Sequence, residues 1–165
     1  MKVKVIRSKR RKKTIEARLD GDVLEVLAPY HVSGKELEQA IAKLGQRLER
    51  KRRLRDESAD DALQRRAEEL NRRYFRGKLQ WKSIRYVTNQ RRSAGSCSPG
   101  KGTIRISDRT RDYPTWVGDY VIVHELAHLI EPNHSKRFWD LVNRYPKSER
   151  ARGFLMAMGM AEEED

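Results

Sequence analysis

The sequence predicts an α+β fold, on three observations. Short alternating runs bounded by turn residues open the chain, a long stretch of 3.6-residue apolar spacing follows, and a second pair of strand-like runs directly precedes an apolar helix.

Taken in order, residues 3–7 alternate as a strand does, and residues 14–19 and 23–28 flank Asp20-Gly21-Asp22, a hairpin signal. The front is therefore a small sheet. Ser33 with Glu36 three residues later forms a capping box, after which Leu37, Ile41, Leu44 and Leu48 mark one helical face, the opposite face being strongly cationic over residues 47–55. Residues 56–61 read as a join. A second helix is expected from Ala62, with Leu63, Ala67, Leu70 and Tyr74 on one side and Gly77 as its stop. Residues 81–88 and 103–107 read as strands separated by a Gly-, Ser- and Arg-rich loop, 89–102. The run Trp-Val-Gly-Asp-Tyr-Val-Ile-Val, residues 116–123, suits a buried helix. A short helix over residues 135–145 turns Phe138, Leu141 and Val142 inward and ends at Pro146, and Phe154, Leu155 and Met158 mark a last amphipathic segment before the acidic tail 162–165. The expected division is a front part, residues 1–56, and a second domain, residues 57–165.

The chain has 165 residues and one cysteine, Cys97, so its core is built without an internal disulfide. No apolar run has the length of a signal-peptide core or a membrane span, and a cytoplasmic protein without membrane attachment is expected. The net charge of +13 is uneven. Residues 1–56 carry 17 Lys+Arg against 8 Asp+Glu, whereas residues 116–165 carry 6 against 9. A basic front steers a protein toward polyanions, so nucleic acid is an expected partner of this part. Aromatic residues are not interleaved with the early cations, which argues against a stacking platform for single strands.

Chemistry concentrates in His124-Glu-Leu-Ala-His-Leu-Ile-Glu-Pro-Asn-His134, which holds three of the four histidines. Residues four apart on a helix share a face, so His124 and His128 address one metal ion from consecutive turns, with Glu125 beside them. Pro132 cannot continue a helix, and the turn it imposes brings back His134. Three protein ligands that leave one position open are the catalytic rather than the structural arrangement of zinc. The reading is a zinc metallohydrolase that uses metal-activated water on peptide bonds, with Glu125 as general base and a protein or peptide as substrate. An edge strand next to the site would hold an extended peptide. Two alternatives stand beside it. One is a metal-dependent nucleotide phosphohydrolase with Arg91 and Arg92 on phosphates; the other is a nucleic-acid-binding module with a structural metal. Glu131 is a further candidate carboxylate near the metal, and Tyr120, Tyr145 and Arg137 are candidates for oxyanion stabilisation. Cys97 and His31 read as structural and surface residues.

The segment from Asp119 through His-Glu-Leu-Ala-His-Leu, followed by Asn133-His-Ser-Lys-Arg-Phe-Trp139, resembles the YgjP-like metallopeptidase family and, more distantly, SprT-like proteases and other zincins. The Gly95-Ser-Cys-Ser98 element and the front from Arg7 to about Arg53 are similar to that family as well. The chain departs from it at Ala94, where members usually carry Trp, and at Ser107-Asp108-Arg109, where they carry Asn-Trp-Arg. The resemblance implies a zincin-like catalytic domain with Zn2+ on His124, His128 and His134 and with Glu125 as the acid/base.

Overall fold

The computed structural model describes residues 2–160; the acidic tail 162–165 lies outside them. Mixed α and β elements fall into two compact units that divide between Glu57 and Ser58.

In the first unit, β1 (Lys2–Ser8), β2 (Glu16–Asp20) and β3 (Val23–Pro29) form a sheet of order β1-β3-β2, with β1 parallel and β2 antiparallel to β3. Leu24, Val26 and Ala28 alternate onto one face of β3 and are fully buried, packed in one cluster with Leu37, Ile41 and Leu48 of the following helix. That helix starts at the expected capping box: the Ser33 hydroxyl accepts from Glu36 N–H at 3.3 Å, and the Glu36 carboxylate accepts from Ser33 N–H at 3.2 Å. Its outward cations Arg47, Arg50 and Lys51 are exposed.

The join expected at residues 56–61 is absent. One helix, α1, runs from Gly34 to Phe75, and the boundary between the units falls inside it. The run Asp-Glu-Ser-Ala-Asp-Asp contains neither Gly nor Pro, and each Asp or Ser costs a helix only a few tenths of a kcal/mol, about 0.5, against Ala. Asp60 is also used elsewhere, accepting the Tyr86 backbone N–H at 2.8 Å.

In the second unit, β4 (Ser83–Val87), β5 (Gly95–Ser98) and β6 (Thr103–Ser107) form a sheet of order β4-β6-β5. Strand β5 lies inside the stretch expected to be a loop. Gly-Ser-Cys-Ser has little intrinsic strand preference; its pairing with β6, from Gly95↔Ile106 to Ser98↔Thr103, is a tertiary effect. Helix α2 (Thr115–Ala127) is buried on nearly every side, through Val117, Tyr120, Val121, Ile122, Val123, Leu126 and Ala127, as an apolar central helix should be. It is tied to α1 by Arg66, whose Nε and Nη2 donate to the two Asp119 carboxylate oxygens at 2.7 and 2.6 Å. Helices α3 (Lys136–Val142) and α4 (Ser148–Ala157) complete the unit, α3 being capped by the Ser135 hydroxyl on Phe138 N–H. At its end the inward residue is Met160, fully buried and bonded through sulfur to the Tyr113 hydroxyl, whereas Met158 is 41% exposed, contrary to the expected apolar face. No helix among the described residues is long and apolar enough to cross a membrane.

Candidate metal centre

His124 sits in the last turn of α2 and His128 immediately follows the helix, its N–H donating to the His124 carbonyl at 3.3 Å. The chain leaves the helix before Pro132 is reached: Leu129 and Ile130 N–H bond to the carbonyls of Leu126 and Ala127 at i−3, tightening the last turn. Beyond Pro132 the chain returns His134 to the other two. The Nε2 atom of His124 then lies 3.2 Å from that of His128 and 3.4 Å from that of His134.

These distances bear on whether a metal fits. Zinc–nitrogen bonds of about 2.0–2.1 Å at tetrahedral angles place neighbouring nitrogens about 3.4 Å apart. Among the described residues these three histidines form the group able to hold a metal ion, one ligand atom from each within 4.8 Å of the others. Burial, reinforced by the like charges of His128, His134 and Arg152, holds His124 well below the ordinary histidine range, so its ring is neutral and ligand-ready. The Glu131 carbonyl lies 3.2 Å from His128 Nδ1 and accepts its proton, which leaves the Nε2 lone pair facing the cluster. Glu131 thus meets the site through its backbone; its carboxylate is not in the histidine group.

Aromatic rings fix the imidazoles. Phe138 stacks on His128 with centroids 4.4 Å apart, Trp139 stacks on His134 at 5.8 Å, and the Arg152 guanidinium lies 4.2 Å from the centre of the Trp139 ring. Phe138 was visible in the sequence as an apolar helix position. The parts of Trp139 and Arg152 were not, because the Trp139 ring has to fold back over the turn that carries His134 and Arg152 reaches that ring only where α4 meets α3.

Glu125 is 4% exposed and borders, with the three histidines, a cleft of about 460 Å³ whose other wall is Gly95, Ser96 and Cys97 of β5. Gly95 is set by contact: a Cβ there would lie 2.5 Å from Glu125 Oε1 and 2.8 Å from its Cγ. Arg92 also lines the cleft, whereas Arg91 uses its carbonyl to accept from Arg109. The three oxyanion candidates do not line it. Tyr120 is fully buried, Tyr145 donates its hydroxyl to the Trp116 carbonyl at 3.0 Å, and Arg137 borders a different cavity. His31 is exposed in the first unit.

Burial pushes the Cys97 thiol up to about 12, and the Glu125 charge adds to the rise. Cys97 is therefore a neutral wall residue, not a nucleophile. Alkylation of the folded protein by iodoacetamide at pH 8, followed by mass spectrometry, is expected to be at least about a hundredfold slower than that of the unfolded chain; equal rates would contradict the assignment.

A mixed α+β unit with three converging imidazoles and a carboxylate over a strand-walled cleft has the make-up of a metallopeptidase domain. A family model described as the YgjP-like metallopeptidase domain matches residues 52–156, and the chain belongs to this family of metal-dependent peptidases. The fold is also similar to the crystal structure of the metallopeptidase zymogen of Pyrococcus abyssi abylysin, with a TM-score of 0.52 and 20% identity over 61% of this chain and 97% of that one. At that identity the likeness is one of fold, consistent with a zincin-like domain. No curated protein matches the chain.

Proposed function

We propose that the chain is a zinc-dependent peptidase in which His124, His128 and His134 hold the metal and Glu125 is the general base. The observation that carries the reading is the approach of the three ring nitrogens, 3.2 and 3.4 Å apart, beside a buried carboxylate in one cleft. Zinc, when bound, supplies a Lewis acid and a water whose pKa falls toward neutrality. Glu125 takes the proton released during attack on the scissile carbonyl and delivers it to the leaving amine. Strand β5 lies at a sheet edge and walls the cleft, so its outer backbone groups are suited to pair with an extended peptide and present one bond to Glu125. Gly95 lets the strand approach that closely.

Zinc content measured by elemental analysis, together with cleavage of an unfolded protein, tests the reading. The zinc-loaded chain is expected to cut, lose activity to a chelator and regain it with zinc. His134→Ala is expected to lower zinc affinity by roughly two orders of magnitude or more, since loss even of a group that only supports a ligand costs about 10–100-fold. A variant retaining stoichiometric zinc at matched concentration would remove His134 from the ligand set.

A further inference from the structure

A second cavity in the same unit, about 480 Å³, is unused by this chemistry. Its floor is apolar: Phe75, Leu79, Ile130 and Leu141. Around them stand four cations, Arg76, Lys78, Arg137 and Arg144, against one carboxylate, Asp140. Arg144 is engaged, donating to the Tyr74 carbonyl at 3.1 Å with its guanidinium 5.9 Å from the centre of the Phe75 ring. The side chains of Arg76, Lys78 and Arg137 make no hydrogen bond or ion pair with the described residues.

Arg76 carries a second signal. It sits at φ +58°, directly before Gly77 at φ +69°, in the left-handed region where a glycine would ordinarily end the helix. A side chain is held there at a local backbone cost, and such an outlier points to a use for that side chain. The loop that presents it is pinned by the buried Asn71, whose side-chain amide donates to the Leu79 carbonyl at 2.9 Å and accepts from Leu79 N–H at 3.3 Å. Gly77 N–H adds a bond to the Asn71 carbonyl at 3.0 Å. The cations therefore stand on an ordered rim.

We propose that this pocket is an exosite that seats an acidic, apolar-bearing segment of a protein substrate, away from the bond being cut; the word substrate rests on the peptidase reading above. Charge complementarity selects the acidic residues, and the apolar floor selects the side chains between them. Nucleic acid fits less well. Phe75 is 3% exposed beneath Arg144, so the floor offers aliphatic side chains, Leu79, Ile130 and Leu141, and no open aromatic face on which a base could stack. The position suits a tether: Ile130 belongs to the turn between His128 and His134, and Arg137 and Leu141 belong to α3, whose Phe138 stacks on His128.

The test uses the full chain as the inert Glu125→Gln variant and measures fluorescence anisotropy with a labelled peptide of alternating Glu and Leu. Binding is expected, and about tenfold weaker in the added double variant Arg76→Gly, Lys78→Glu. The melting temperature is expected not to fall, because glycine suits the left-handed position. Unchanged affinity in the double variant would overturn the proposal, as would equally tight binding of a Glu-only peptide or a single-stranded oligonucleotide. In the otherwise unaltered enzyme the same pair is expected to raise KM for a protein bearing such a segment and to leave cleavage of a short neutral peptide unchanged; equal losses on both would also overturn it. Absence of any cleavage by the unaltered chain would strike the peptidase reading alone, because the anisotropy measurement uses no hydrolysis.

Discussion

Glu125→Gln is expected to lower kcat for peptide hydrolysis by about 10²–10⁴-fold while the protein keeps its zinc. Glutamine has the shape of glutamate and lacks its basicity, so the cleft stays filled but the proton has no acceptor. Retention of metal follows from the ligand geometry, because the clustered ligand atoms come from His124, His128 and His134, with Glu125 outside that group. A second readout lies across the cleft. The Glu125 charge is the lesser of the two causes that raise the Cys97 pKa, so its removal should make Cys97 modestly easier to alkylate, burial keeping it slow. Activity within a few-fold of the parent would remove Glu125 as the base. Loss of zinc would make it part of the metal-binding set.

Gly95→Ala is expected to cost about 10²-fold in kcat and, by overpacking a buried site, about 1–3 kcal/mol of stability, with zinc content unchanged. The added Cβ would fall 2.5 Å from Glu125 Oε1, 2.8 Å from Cγ and 2.9 Å from Cδ, well inside van der Waals contact. Cγ is one bond from the Glu125 Cβ and the side chain is 4% exposed, so relief requires rotation about χ1 that carries the whole carboxylate from its place within a packed site. A carboxylate displaced by about 1 Å loses its alignment for proton transfer, and misplacements of that size cost on the order of 10²-fold. Thermal unfolding, zinc analysis and kinetics on one preparation separate the effects. Full activity in the alanine variant would mean that Glu125 works from a different position; collapse of the fold would mean that Gly95 is needed by the sheet.

Several elements were legible because their causes are local. The capping box of Ser33 and Glu36 acts over four residues, and the Asp20-Gly21-Asp22 turn joins adjacent strands, so each appears in the structure where its residues announce it. The apolar run of α2 is similarly explicit, since a helix without a polar face has to be buried. Misreadings arose where a local signal was weak and distant contacts decided. The acidic run 56–61 looks like a linker in composition, yet nothing in it interrupts a helix, and α1 passes through. Residues 95–98 look like loop by propensity, and pairing with β6 makes them the strand that walls the cleft. Met160, and not Met158, faces inward because Gly159, at φ +67°, turns the chain between them.

By itself the sequence determined which atoms can gather around a metal: His124 and His128 at helical spacing, Glu125 beside them, and His134 after a turn. That is a matter of chain geometry within eleven residues, and a 3.6-residue period expresses it directly. Only the tertiary structure decided what faces those atoms. Gly95 lies thirty residues before Glu125, and the demand that it carry no side chain exists because the edge of one sheet is pressed against the central helix. Phe138 is likewise brought onto His128 by the packing of α3 on α2, and Arg152 onto Trp139 by α4, which no local period records.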